Sequence, residues 1–272
     1  MKRDMHVMNT ANYIEQSATC DVTTFCRDGF PYLCEVEIPI EHTVEVIIND
    51  VPSMVLTCTQ SHVRELVVGR LFTEGFIQNA DDLLSLDMDA DERIARAILA
   101  NADVDCFCDA IKKVDTCGAA TRNLVRMAHG AVPLMPFEPH VVELNQVFFM
   151  ADIFSNDTPL HTRTFGVHSC SVFKGCEQLY SFEDLGRHNA FDKVIGAALL
   201  DRLNMDELAV FSSGRIPVDM VTKAVRSRIP ILVTKATPST RSVEIAQEYG
   251  LALVGRARPD SFSVFSGSCE SN

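Results

Sequence analysis

The chain has 272 residues, 47% of them hydrophobic, 22% charged and 7% aromatic, with no Trp, a balance that excludes a disordered, collagenous or coiled-coil chain. At about 150 residues per domain it makes one large domain or two smaller ones, burying roughly 70% of the unfolded surface in a core that needs no staples. The formal charge of −13 sets aside binding of phosphate backbones through a global positive field, so nucleic acid is not an expected partner.

The opening Met1-Lys2-Arg3-Asp4-Met5-His6 is not followed by an apolar run, and the densest apolar stretches, 147–154 and 194–200, fall far short of the ~20 residues that span a bilayer. A cytoplasmic protein without membrane association is expected. With a core of its own and no export signal, the ten cysteines are expected as reduced thiols, most of them small buried hydrophobes.

Residues 1–32 show no clean period and read as a loose lead-in. Val36-Glu37-Ile38 and Val44-Glu45-Val46 alternate, Asn49-Asp50 supplies a turn and Met54-Val55-Leu56 follows, which predicts a small antiparallel sheet. Val63, Leu66, Val67, Arg70 and Leu71 recur at helical spacing, with Gly75 where a left-handed C-terminal cap is useful. Residues 81–92 carry Asp81, Asp82, Asp87, Asp89, Asp91 and Glu92 without EF-hand spacing and are expected as a solvated loop. The segment around Cys117-Gly118 ends in Val132-Pro133-Leu134-Met135-Pro136, a Pro-punctuated junction. A boundary near 120 follows, with residues 1–120 an α+β subdomain ending in the Cys117 loop and 121–272 a ligand-binding subdomain.

After a helix near 144–154 the second half alternates helix and strand. Ala190, Phe191, Val194, Ile195 and Ala198 share a helical face; 208–211, 229–233 and 251–254 read as strands, 217–228 as a helix begun by Pro and 242–249 as a helix closed by Gly250. This βαβαβ order predicts an α/β fold with a partly parallel sheet covered by helices. Ligands bind beyond the carboxyl ends of such strands, which points to loops 212–215, 234–240 and 256–260. From 214 to 258 the basic Arg215, Lys223, Arg226, Arg228, Lys235, Arg241, Arg256 and Arg258 face only Asp219, Glu244 and Glu248. This excess of positive charge inside an acidic protein suits an anionic ligand.

Cys117 follows Lys112 and Lys113 and precedes Arg122, cationic neighbours of the kind that lower a thiol pKa; a reactive nucleophile and a packing cysteine both fit this spacing. Cys106 and Cys108 have no second pair at finger spacing, so they read as structural and no metal site is expected. Residues 183–193 form the densest polar cluster. On a helix His188 and Asp192 are four apart and the carboxylate is expected to orient the imidazole; together with Asp184, Arg187 and Lys193 the charges exceed what capping needs and read as functional. His168 lies among small residues, as a ligand contact or a hydrogen-bonded core histidine. G-x-x-x-x-G-K-[ST], G-x-G-x-x-G and G-x-S-x-G are absent, as is the zinc-deaminase signature H-x-E with P-C-x-x-C, which removes the P-loop, dinucleotide, nucleophile-elbow and zinc-deaminase readings.

Residues 183–196 (EDLGRHNAFDKVIG) resemble the signature of the formate dehydrogenase accessory sulfurtransferase family, FdhD/NarQ. Residues 69–77 (GRLFTEGFI), Cys117-Gly118, 164–171, 212–223 (SSGRIPVDMVTK) and 242–255 (SVEIAQEYGLALVG) are similar to further family segments, in the family's order from about 35 to 266. The resemblance implies a protein of two subdomains, the larger a cytidine-deaminase-like three-layer α/β core, usually a homodimer. It implies that a cysteine desulfurase donates sulfur as a persulfide, and that this sulfur passes to the molybdenum (or tungsten) bis(molybdopterin guanine dinucleotide) cofactor of formate dehydrogenase. The family's persulfide loop reads C-G-x-C-G, and its first Cys matches Cys117. The cofactor-contacting segment matches Arg256, Ala257, Arg258, Pro259, Asp260 and Ser261.

Such an acceptor carries pyrophosphates, which guanidinium forks recognise, and Arg215, Arg256 and Arg258 supply them. His168, Arg187 and His188 are the candidates near the sulfur-receiving end. The chain departs from the family at two positions. Ala120 stands where the second loop Cys would be, so a single-persulfide relay is expected; Phe165 replaces a Gly in T-G-x-x-H, which is expected to narrow the pocket or to alter the backbone there. A cofactor-binding chaperone without catalysis is the rival reading, and a nucleotide-acting enzyme on the same kind of core a weaker one.

Overall fold

The computed structural model describes residues 15–100, 134–138, 140–156 and 158–270. Cys106, Cys108, Cys117, Ala120 and the boundary expected near 120 lie outside the described residues. Where a loose lead-in is expected, β1 (Ser17–Thr24) and β2 (Tyr32–Pro39) form an antiparallel pair. The pair is largely exposed, Leu33 81% and Phe30 in its turn 93%, so no apolar alternation marks it in the sequence.

β3 (His42–Ile48) turns into β4 (Val51–Cys58) through Asn49 and Asp50, both at positive φ (46° and 65°) as a two-residue hairpin turn requires. α1 (Val63–Glu74) ends on Gly75, whose φ of 87° lets its N–H reach back to the last turn. β5 (Leu83–Met88) and β6 (Ile94–Leu99) complete a sheet of order β4-β3-β6-β5. The sheet is mixed, not antiparallel as expected: the long connection carrying α1 brings β6 back parallel to β3. The expected loop at 81–92 likewise contains β5, an edge strand that turns Leu86 inward and leaves Asp87 in solvent. Its carboxylates occupy the wet face and hide the strand.

β7 (Val141–Glu143) and β14 (Ser268–Glu270) pair in parallel beside α2 (Leu144–Ser155). After α3 (Pro159–Thr164) come the hairpin β8 (His168–Lys174) and β9 (Glu177–Asp184), then α4 (Arg187–Leu200). The predicted βαβαβ unit is β10 (Ala209–Ser212), α5 (Val218–Arg226), β11 (Ile231–Thr234), α6 (Thr240–Glu248) and β12 (Ala252–Arg258), with β13 (Ser261–Ser266) returning. The sheet order is β13-β12-β11-β10-β8-β9, with β10, β11 and β12 parallel. Phe211, Val233 and Val254 pack under Met150 and Phe154 of α2, whereas Val210, Leu232 and Leu253 face Phe191, Val221 and Ala246 of α4, α5 and α6. The sheet is therefore covered on both faces, and its second apolar cluster continues into Val44, Val46 and Leu66 of the first sheet and α1.

α1 and α4 join the two sheets at backbone contact. A Cβ on Gly69 would lie 1.8 Å from the Asp192 carbonyl oxygen, and one on Gly196 1.9 Å from that of Glu65. Around this crossing three members of the charged cluster read as functional, Asp184, Asp192 and Lys193, hold the packing. Asp192 takes Arg70 Nε at 2.7 Å and Lys223 Nζ at 2.8 Å, and Lys193 Nζ meets Asp184 at 2.7 Å, all fully buried or nearly so. Gly196→Ala is expected to lower unfolding stability by about 3 kcal/mol or more, because neither helix backbone can withdraw. Urea titration checks this, and an unchanged midpoint would contradict the crossing.

Candidate functional site

The parallel strands β10, β11 and β12 end at one edge of the sheet, and β8, antiparallel to β10, begins there. Two adjoining cavities open at this edge. One, of about 530 Å³, is lined by Lys235, Ala236, Thr237, Arg256, Arg258 and Ser261 with Phe262 and Ser263. The other, of about 390 Å³, is lined by Phe154, Thr158, His161, Phe165, His168, Ser169 and Ser213 among others, and again by Lys235.

A bulge builds the first cavity. The β12–β13 register shifts between Gly255 and Arg258, and Arg256 adopts φ 56° while its N–H donates to the Ala236 carbonyl at 2.8 Å. Arg256 and Arg258 are thereby exposed, while Ala257 points into the core at 1% exposure. Arg258 Nη1 donates to the Lys235 and Ala257 carbonyls, each at 2.8 Å, which draws the guanidinium against the loop after β11. That loop is held in turn by Thr234, whose hydroxyl donates to the Gly214 carbonyl at 2.7 Å and accepts from Ala236 N–H.

In the second cavity Ser169 and Ser213 are locked together, each backbone N–H donating to the other residue at 2.9 Å. Glu183 caps α3 by accepting from the Leu160 and His161 N–H groups and the Thr158 hydroxyl. His161 Nδ1 meets the Val167 carbonyl at 3.0 Å, which fixes its ring. Burial pushes the His168 imidazole below its usual range, helped by the charges of Arg187 and His161 and opposed by Asp184. It is a neutral donor and acceptor at neutral pH. Arg187 lies alongside, its Cβ and Cδ 3.0 Å from where a Cβ on Gly214 would sit, and its shielded Nε has no hydrogen-bond partner among the described residues.

Of the predicted site residues, the edge thus brings together Arg256, Arg258, Ser261 and His168, with Arg187 adjacent. Arg215, Pro259 and Asp260 are exposed and line neither cavity. His188 lines neither and is 5% exposed. The expected His188–Asp192 pairing is corrected: His188 Nε2 meets Asp219 Oδ2 of α5 at 2.8 Å, while Asp192 is taken by Arg70 of α1 and by Lys223, one turn further along α5.

The basic excess divides in the same way. Lys223 serves Asp192, Arg226 donates to the Thr73 carbonyl, and Arg228 and Arg241 pair with Asp206 and Glu244. Sequence reasoning named Lys235 in the basic stretch and flagged the loop of Ser213, without assigning either residue a role, and it missed His161. Loop position at the strand ends was the signal for the first two; nothing local marked His161. Among the described residues, no three His, Cys, Asp or Glu side chains converge on a point that could hold a metal ion, and no helix is long and apolar enough to cross a membrane.

The described thiols sort by burial. Cys58 and Cys170 are pushed up to about 12, both chiefly by desolvation, and so stay protonated. Cys26 and Cys176 are exposed, and Cys176 follows the end of β8 opposite His168. Iodoacetamide at mildly alkaline pH is expected to label Cys26 and Cys176 and to spare Cys58 and Cys170 until the chain unfolds, as peptide mass spectrometry would read.

Comparison with known proteins places this edge in context. The model of the FdhD/NarQ family matches residues 39–271. Proteins named sulfur carrier protein FdhD align along most of their length. That of Listeria innocua is 26% identical, over 86% of this chain and 90% of its own, and that of Wolinella succinogenes 29%, over 84% and 80%. The crystal structure of a Desulfotalea psychrophila protein, described as a formate dehydrogenase accessory protein, superposes with a TM-score of 0.74 at 22% identity, over 93% of this chain and 98% of that one. The last likeness shows the mixed α/β fold.

Proposed function

This chain belongs to the FdhD/NarQ family, and from that membership we propose that it is a sulfur carrier. It takes persulfide sulfur from a cysteine desulfurase on Cys117 and delivers it to the molybdenum bis(molybdopterin guanine dinucleotide) cofactor of a formate dehydrogenase. The observation that carries the reading is the cationic double cavity at the carboxyl edge of β10, β11 and β12, in a chain whose relatives are named sulfur carriers. A homodimer in the cytoplasm belongs to the same reading. So does a cytidine-deaminase-like core, supported by a hairpin, β8 and β9, followed by three parallel strands under helices.

The chemistry asks for two things. The Cys117 thiolate attacks the outer sulfur of the donor persulfide, the donor S–S bond breaks, and the desulfurase thiolate leaves; no net oxidation occurs. A nucleophilic acceptor then attacks the outer sulfur and Cys117 returns to thiolate. Because Ala120 stands in place of a second loop thiol, the persulfide waits on one cysteine until the acceptor is held in reach. Holding is the work of the cavities: Lys235, Arg256 and Arg258 with the Ser261 hydroxyl suit phosphates, and neutral His168 and Arg187 suit polar groups beside them.

Two measurements test this. After incubation with a cysteine desulfurase and cysteine, intact-mass analysis is expected to show a reducible gain of one sulfur that Cys117→Ala lacks. No gain, with the desulfurase active on another acceptor, would favour the rival suggested by Ala120, a cofactor-binding chaperone without a persulfide step. Arg258→Ala is expected to weaken GDP binding at least about tenfold, in line with ~1.5–3 kcal/mol for a hydrogen bond to a charged group, as calorimetry at fixed salt would read.

A further inference from the structure

We propose that Phe165 is the stacking face for the base of the nucleotide that this edge binds, so that the chain has an aromatic base-binding residue of its own where the resemblance puts a glycine. The inference rests on the reading that the acceptor carries a guanine nucleotide and adds where its base lies.

Phe165 ends α3 at φ 52°, the left-handed region that a bulky L residue rarely adopts. The conformation is held from both sides. The Phe165 N–H donates to the His161 carbonyl at 2.7 Å. The next residue, Gly166, packs closely against Pro39, where a Cβ would come within 2.8 Å of the ring. Despite its apolar ring Phe165 is 75% exposed, and it lines the mouth of the 390 Å³ cavity. Its ring packs against His161 with centroids 5.7 Å apart and planes at 71°, and His161 is itself pinned to Val167. The outcome is an aromatic side chain backed on one side by an imidazole and open to solvent beside a cavity. A strained backbone kept at such a place points to use rather than packing.

The surroundings select the ligand class. Beyond Phe165 the cavity is lined by Ser169, Ser213 and His168, and it runs to Lys235, which also lines the cavity of Arg256 and Arg258. A planar ring on Phe165 with phosphates toward Lys235 matches this order of apolar face, neutral polar groups and cations. Stacking on an aromatic side chain tolerates any base; His168 and the serines supply the polar contacts that discriminate.

The test is calorimetry with GDP on wild type, Phe165→Gly and Phe165→Trp, with inorganic pyrophosphate as a probe lacking the base. Phe165→Gly is expected to weaken GDP at least about fivefold, the lower range for loss of one base stack. Phe165→Trp should hold GDP within about twofold, and pyrophosphate should not distinguish the three proteins. The melting temperature of Phe165→Gly should match or exceed wild type, because glycine suits the left-handed position. Equal GDP affinity in wild type and Phe165→Gly would overturn the proposal and leave the nucleotide reading standing, whereas wild type that binds no GDP would overturn both. A change in sedimentation of Phe165→Gly would also overturn it, by showing that a second copy covers the ring.

Discussion

The backbone contact of α1 with α4, made at Gly69 and Gly196, is what the remaining structure depends on. It leaves no room for side chains at the crossing, so the charged groups of both helices are forced into one dry layer beside it. Arg70, Glu74, Asp192 and Lys223 meet there, and Arg70 Nη2 also donates to Asn189 Oδ1 at 2.8 Å. Burial, and then the Arg70 charge, pull the Lys223 pKa down, while Asp192 and Glu74 oppose the shift. Such a cluster stands only because each charge has partners, since removing one leaves another buried and uncompensated, a loss of about 3–5 kcal/mol. The cluster also fixes orientation: Asn189 Nδ2 donates to the Thr57 carbonyl, and Lys193 donates to the Thr59 hydroxyl at 2.7 Å. The end of β4 in one sheet is thereby tied to α4 and β9 in the other.

That orientation reaches the ligand edge. Asp184 accepts from Thr59 N–H, Gly186 N–H and Asn189 at the turn between β9 and α4, and the next residue along α4 from Gly186 is Arg187, beside Gly214 and His168. The charges of this chain therefore do two jobs separated by depth. Those under α1, α4 and α5 neutralise one another and set geometry; those at the strand ends, Lys235, Arg256 and Arg258, line open cavities. The division explains how a chain of net charge −13 keeps a cationic edge.

Much of this was legible in the sequence, for reasons that also mark what was not. Wherever one face meets the core, as in α1, α5, α6 and the three parallel strands, apolar spacing declares the element. β1, β2 and β5 lack a fully dry face, so composition conceals them. The motif EDLGRHNAFDKVIG was legible as a family mark, yet Asp184, Asp192 and Lys193 prove to be packing residues. A spacing that preserves a helix crossing looks the same in sequence as one that preserves chemistry, because both demand particular polar residues at particular positions. Lys223 and Lys235 illustrate the limit. Both are lysines in the same basic stretch, and only the topology puts one under α1 and the other beyond β11.

The proposed carrier role places a demand that the buried Cys58 and Cys170 meet by their inertness. A persulfide on a lone thiol is lost if a neighbouring thiolate attacks its inner sulfur and forms a disulfide. Cys170 lies two residues from His168, close to the ligand edge, but it faces the core and its proton is held by burial. Cys58 is held likewise beside Asp184. Among the described residues these two thiols are thus kept from competing, while the polar residues that line the cavities, Lys235, Arg256, Arg258, His168 and the serines among them, do not react with sulfur. An edge of this composition suits the proposed role, in which an anionic acceptor is held without consuming the sulfur on its way there.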